Sequence, residues 1–157
     1  MGGLHCNKIY TMEPHYYQVD VKWIADRKGI MSSPELEQQV EIATPPQFNK
    51  GIEGIWSPEH LLTAAVNSCF MTTFLAIAEN SKLDFHNFTS SAKGKLEQVE
   101  GKFLMTEVVI NAKLEIVKEA DKERAERVLH KSEAACLISN SIKAKTVLYT
   151  EINFFEG

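Results

Sequence analysis

Apolar and polar residues alternate from Tyr16 to Ile24 (Tyr-Tyr-Gln-Val-Asp-Val-Lys-Trp-Ile), the period of a strand with one buried face. Lys28-Gly29 then supplies a turn, and Ile30 to Ser33 and Leu36 to Ile42 read as two further short strands. Pro45-Pro46 and Asn49-Lys50-Gly51 break the ladder and mark a loop. At Ser57-Pro58-Glu59 the pattern changes. A hydroxyl at the N-cap, a proline at the first helical position and a carboxylate in the first turn predict a helix start, and the helix runs to about Asn80. Its apolar residues, Leu61, Leu62, Val66, Phe70, Phe74 and Ile77 among them, fall on nearly every side, so the helix needs protein all round it.

Period-two alternation returns at about Phe85 to Val99 and Phe103 to Val117, joined at Glu100-Gly101, which predicts a long hairpin. From Glu119 to about Asn140, Ala125, Val128, Leu129, Ser132, Ala135 and Cys136 recur at helical spacing, while Lys122, Glu123, Arg124, Glu126, Arg127 and Lys131 fill the other face. This second helix is expected to aim Cys136 at the core. Thr146 to Phe154 reads as a closing strand. The predicted order is three strands, helix, two strands, helix, strand.

A chain of 157 residues is one domain's worth, so residues 1–157 are expected to form a single unit, with 1–15 a loose leading segment. With a formal charge of -4 and acidic and basic residues interleaved throughout, the chain has no basic stripe for a phosphate backbone, which argues against a nucleic-acid partner. The uncharged run Leu61 to Ala78 has the minimum length of a membrane span. Thr63, Asn67, Ser68, Thr72 and Thr73 would need partners there without water, so a buried core helix and no membrane is the expectation. The start Met1-Gly2-Gly3-Leu4-His5-Cys6 has no basic-then-apolar leader, and the three cysteines lack a Cys-x-x-Cys pair. Both point to a reducing cytoplasm, in which any disulfide is transient.

Cys69 and Cys136 are the residues with chemistry to offer, because cysteine is kept for reactivity more often than for packing. Taken singly, each has a plain reading as a small apolar filler, and Cys6 has no partner in the sequence. A thiol buried among Val66, Phe70 and Phe74 ionises less readily than one in water. To be half ionised at neutral pH it needs about 2 kcal/mol of preference for the thiolate, which a nearby guanidinium can supply. Arg124 and Arg127 belong to the charged face of the second helix, leaving Arg27, by default a solvated turn residue, with Glu59 to orient it. Ten helical residues separate Glu59 from Cys69 by about 15 Å, too far for both to touch one guanidinium. Either Arg27 reaches between them, or the helix breaks early, or Glu59 has another role. The five histidines show no metal spacing, so neither a metal nor a cofactor is expected.

Ser57-Pro58-Glu59-His60-Leu61-Leu62, Ala64-Ala65, Ser68-Cys69-Phe70 and Ala135-Cys136-Leu137-Ile138-Ser139-Asn140-Ser141 resemble the paired cysteine signatures of the osmotically induced protein C (OsmC) and organic hydroperoxide resistance (Ohr) superfamily. Asp26-Arg27-Lys28-Gly29-Ile30-Met31-Ser32-Ser33 is similar to its arginine-bearing turn, and the likeness spans about Val21 to Leu148. The resemblance implies an α+β fold, an intertwined homodimer with antiparallel sheets wrapped around two long central helices. It also implies thiol-dependent reduction of organic hydroperoxides, Cys69 as peroxidatic thiolate, Cys136 as resolving thiol, Arg27 as activating cation, Glu59 as its partner, and a dithiol reductant, possibly a lipoyl group. One departure is Leu137, where the second cysteine of the superfamily is commonly followed by proline; it is expected to let the helix run on. Leu61, Phe70, Phe74 and Trp56 suggest a substrate with an apolar tail. Two rivals stay open: a noncatalytic module holding a small hydrophobic ligand in the same dimer cleft, and a cysteine hydrolase pairing Cys69 with His60 or His130.

Overall fold

The computed structural model describes residues 12–156. Cys6 and most of the segment expected to be loose lie outside the described residues. Strands β1 (Asp20–Ala25), β2 (Lys28–Ser33) and β3 (Leu36–Ala43) form an antiparallel meander. β1 begins four residues later than the alternation predicts. β2 ends at Ser33, the position opposite Val19 in this register, so the strand has no partner along Tyr16 to Gln18 to receive its ladder bonds. The two-residue turn Asp26-Arg27 has Asp26 in the left-handed region (φ 48°), which aspartate tolerates better than most side chains.

Helix α1 (Pro58–Asn80) starts as its residues dictate: Ser57 Oγ accepts from the His60 N–H at 3.3 Å, and Pro58 needs no acceptor. The hairpin β4 (Phe85–Val99) and β5 (Lys102–Ile116) turns at Glu100-Gly101, where both residues have positive φ (48° and 78°), the geometry that matches strand twist in a two-residue loop. Helix α2 (Lys122–Ala134) crosses back, and β6 (Lys145–Phe154) pairs with β5.

Two expectations are corrected here. The second sheet, ordered β4-β5-β6, is mixed: β6 runs parallel to β5, because the α2 crossover returns the chain to the same end of the sheet. The second helix stops at Ala134, not near Asn140. The Asn140 amide donates to the Ala134 carbonyl at 3.0 Å and Ser141 Oγ to the Leu137 carbonyl at 2.8 Å, so side chains in Ser139-Asn140-Ser141 take acceptors a continuing helix would have used. Leu137 therefore does not prolong the helix.

The core lies between α1, α2 and the second sheet. Val66, Phe70, Phe74 and Ala78 form the inner line of α1 and meet Val108, Ile110, Leu114 and Ile116 of β5 and Ala125, Val128 and Leu129 of α2. Phe74 stacks on Phe88 (centroids 4.6 Å apart, planes 16° apart) and leans on Phe85 at 5.2 Å. α1 is the one helix among the described residues long and apolar enough to cross a membrane, yet its inner line is packed on protein.

Its outer line is not. Ser68, Met71, Thr72, Leu75 and Ala76 stay exposed, as do Val21, Trp23 (71%) and Leu36 on the first sheet, which is tied to the rest mainly through the Ile42 to Trp56 bridge. One chain thus leaves the far side of its most apolar helix and the whole of β1 uncovered.

Phe74→Ala is expected to lower the unfolding free energy by about 3–5 kcal/mol, and Ser57→Ala by about 1 kcal/mol, in urea titrations with unchanged slope.

Candidate active site

Cys69 lies on α1 immediately before the buried Phe70, on a side of the helix that is partly open to solvent. Its sulfur is 4.0 Å from Thr73 Oγ1, one turn further on. Cys136 follows the end of α2 and is completely buried (0% exposed), its thiol directed at the Val66 carbonyl of α1 at 4.0 Å. The two thiols are near enough to influence each other's acidity, and both are free. Residues 67 apart in sequence are thus brought to the same stretch of α1, because α2 packs on α1 and the chain beyond it drops onto the helix at Val66.

The surroundings drive the two thiols apart in acidity. Burial raises the Cys69 pKa, but the Ile138 main-chain N–H, the Cys136 side chain, the Thr73 hydroxyl and the Leu137 N–H outweigh it, and the thiol stands below its ordinary value. Burial is likewise the largest influence on Cys136. Ser139 opposes it through its main chain and through a hydroxyl that finds no well-aligned partner, the nearby Cys69 works with it, and the thiol stands above its ordinary value. The solvent-reached sulfur is therefore the acidic one.

Arg27 and Glu59 come together elsewhere. Both line a cavity of about 410 Å³ between the first sheet and the start of α1, with Trp23, Asp26 and Phe48, and neither cysteine reaches it. One Glu59 oxygen, Oε2, is buried there with no hydrogen bond, and the Arg27 guanidinium makes no ion pair with a described residue. α1 is unbroken between Glu59 and Cys69, which removes the early break from the options. Within one chain, the expected cation does not stand over the expected nucleophile.

A larger cavity, about 620 Å³, flanks α1 on another side, lined by Trp56, His60, Thr63, Asn67, Leu96 and Met105 among others. Phe70 and Phe74, expected to face a substrate, are core residues with no exposed surface. The histidines of the hydrolase reading are engaged away from the thiols: His60 Nδ1 shares a 2.8 Å hydrogen bond with Ser57 Oγ, and His130 Nε2 lies 2.9 Å from Glu126. Among the described residues no group of His, Cys, Asp and Glu is placed to hold a metal ion. Thr73 and the amides of residues 137–139 were not foreseen from the sequence, since a main-chain donor leaves no signature beyond the absence of proline.

A long helix that presents one thiol to solvent and a second to its own buried side, backed by a mixed three-stranded sheet and joined to a separate meander, defines a distinct class of α+β thiol protein. The chain belongs to the OsmC-like protein family, whose model matches residues 49–151. It is 21% identical over 143 residues to the uncharacterized protein YmaD of Bacillus subtilis (strain 168), covering 89% of this chain and 95% of that one. An OsmC-like protein of unknown function from Vibrio cholerae superposes with a TM-score of 0.79 at 21% identity, over 88% of this chain and all (100%) of that one. An organic hydroperoxide resistance protein from Elizabethkingia anophelis gives 0.70 at 21% identity, over 91% and 100%. At such identities these likenesses establish the fold, and they agree with the α+β architecture and the superfamily resemblance.

Brief treatment of native protein with iodoacetamide at pH 6, followed by peptide mass spectrometry, is expected to modify Cys69 and leave Cys136 intact until the protein is unfolded. Equal modification of both would contradict the difference in acidity and burial.

Proposed function

We propose that this protein is a thiol-dependent peroxidase that reduces organic hydroperoxides to alcohols. The observation that carries the reading is a buried Cys136 directed at the Val66 carbonyl of the same helix that presents a solvent-reached, acid-shifted Cys69. The Cys69 thiolate attacks the outer peroxide oxygen, the O–O bond breaks, and the leaving alkoxide takes a proton to become the alcohol. Cys69 is then a sulfenic acid. The Cys136 thiol condenses with it, a sulfur–sulfur bond forms and water leaves. A dithiol, of which a lipoyl group is one example, restores both thiols in two exchange steps and is itself oxidised to a disulfide. Sulfenic acid formed near a waiting thiol is protected from further oxidation.

The working unit in this reading is a homodimer in the cytoplasm. The uncovered line of α1 and the unpacked first sheet are surfaces a second copy would bury, at about 1.5–3 kcal/mol for each large apolar side chain. Two copies of α1 crossing there would bring the start of one helix near the middle of the other. Arg27 and Glu59 of one protomer would then act on Cys69 of its partner, which resolves the separation of about 15 Å along a single helix. Arg27 would hold the thiolate and the charge growing on the leaving oxygen, with Glu59 fixing its orientation. The apolar walls of the larger cavity, Trp56, Leu96 and Met105, favour the second reading, a noncatalytic protein holding a small hydrophobic ligand.

Cumene hydroperoxide is expected to convert wild-type protein to a species with a Cys69–Cys136 bridge in non-reducing peptide maps, faster than hydrogen peroxide does. Cys69→Ser abolishes turnover, and Cys136→Ser stops at the sulfenic acid. Thiols that survive the peroxide would leave the ligand-binding reading. For the shared site, Arg27→Ala and Cys69→Ser proteins, each inactive alone, are expected to regain about a quarter to a half of wild-type turnover when refolded together. No recovery on mixing would confine Arg27 to its own chain.

A further inference from the structure

The cavity of about 620 Å³ beside α1 has walls whose polar groups are nearly all committed within the chain. Thr63 Oγ1 donates to the Glu59 carbonyl at 2.8 Å. Asn67 is used at both ends, accepting from Ser90 Oγ at 2.7 Å and donating to the Ser90 carbonyl at 3.4 Å. Gln47 and Lys93 are exposed and served by water, while Trp56, Ala64, Ala92, Leu96 and Met105 supply apolar surface. His60 is the exception. Ser57 has no exposed surface, and His60 Nδ1, 2.8 Å from its Oγ, is the one acceptor its hydroxyl proton finds among the described residues. That proton therefore goes to Nδ1, and the neutral ring carries its own on Nε2, which has no partner among the described residues. With its ring held by Ser57 and set edge-on to Trp56 (centroids 6.1 Å apart, planes 79° apart), His60 gives the cavity one anchored side-chain donor.

The cavity is also preformed. The Asn67–Ser90 pair ties α1 to β4, and at Gly94 the helix lies so close that a Cβ would collide with Thr63 Oγ1 and Met105 Cε. Its volume falls within the range of about 300–1,000 Å³ in which proteins hold small molecules. The chemistry of the walls selects the ligand's polar end. Glu59 lines this cavity as well as the smaller one with Arg27, so a carboxylate bound here would face a carboxylate. A hydroxyl or hydroperoxide would bring a proton for which the walls keep no open acceptor, since Asn67 Oδ1 is taken and Glu59 Oε2 is buried. A carbonyl brings an acceptor and nothing else.

We propose that this cavity binds a neutral, medium-chain ester or ketone, its tail against Trp56, Leu96 and Met105 and its carbonyl oxygen on the His60 Nε2–H. The assignment rests on the ligand-holding reading of the cavity and gives that reading its ligand chemistry. Neither cysteine lines the cavity, so it stands whether or not the thiols turn over peroxide.

Methyl nonanoate and decanoate are isomeric but for a proton and differ in charge. Each is titrated into the full-length protein at pH 8, below its solubility limit, while the His60 Nε2 resonance is followed by NMR. The ester is expected to bind about tenfold more tightly than decanoate and to move the Nε2 resonance. His60→Phe keeps a ring, removes the donor and is expected to weaken the ester about tenfold, and Ala64→Phe fills the cavity and abolishes binding. The wild-type comparison needs neither variant to fold. Decanoate bound as tightly as the ester, or an Nε2 resonance unmoved at saturation, overturns the neutral-carbonyl assignment and leaves a ligand cavity. Ester binding unchanged in Ala64→Phe puts the ligand elsewhere and overturns it too. Failure of both probes to bind overturns the assignment together with the ligand-holding reading.

Discussion

The packing of α2 and its trailing turn against the middle of α1 is the constraint on which the rest of the molecule depends. Val66 is buried on α1 facing α2, and its carbonyl receives the Cys136 thiol. α2 ends at Ala134, before Asn140, and that early end lets Cys136 fold in against Val66 of α1. Local side-chain bonds from Asn140 and Ser141 to the Ala134 and Leu137 carbonyls shape the segment that carries it there.

The same packing sorts the thiols by exposure and acidity. The solvent-reached sulfur stands below its ordinary pKa, and for the buried one burial outweighs Ser139 and holds the thiol above it. A reagent arriving from water meets the more acidic thiol first, and in the proposed reaction oxidation there would be followed by capture by the buried one.

Much of the fold was legible in the sequence because it rests on local patterns. The period-two runs place β4 and β5 within a residue of where they stand, and Ser57-Pro58 marks the start of α1 through capping chemistry alone. The long-range features were less visible. Periodicity carries Cys136 onto a helix, whereas the helix stops at Ala134, where Asn140 and Ser141 compete for the carbonyls it would have used. The parallel pairing of β6 follows from the path of the crossover, which hydropathy does not record. Residue types pointed to the two sulfurs and to Arg27 with Glu59, but the chain builds these as two separate sites. The first acid-shifting groups around Cys69 are amides, which every residue but proline possesses, so composition could not single them out.

The account turns on the two sulfurs acting as one redox unit. The most direct test is an anaerobic titration of fully reduced protein with cumene hydroperoxide, counting free thiols of Cys69 and Cys136 and the alcohol formed. The account predicts two thiols lost and one alcohol released per equivalent of peroxide, with both thiols recovered on adding a dithiol. Loss of Cys69 alone with Cys136 still free, or no loss at all at equimolar peroxide, would contradict it.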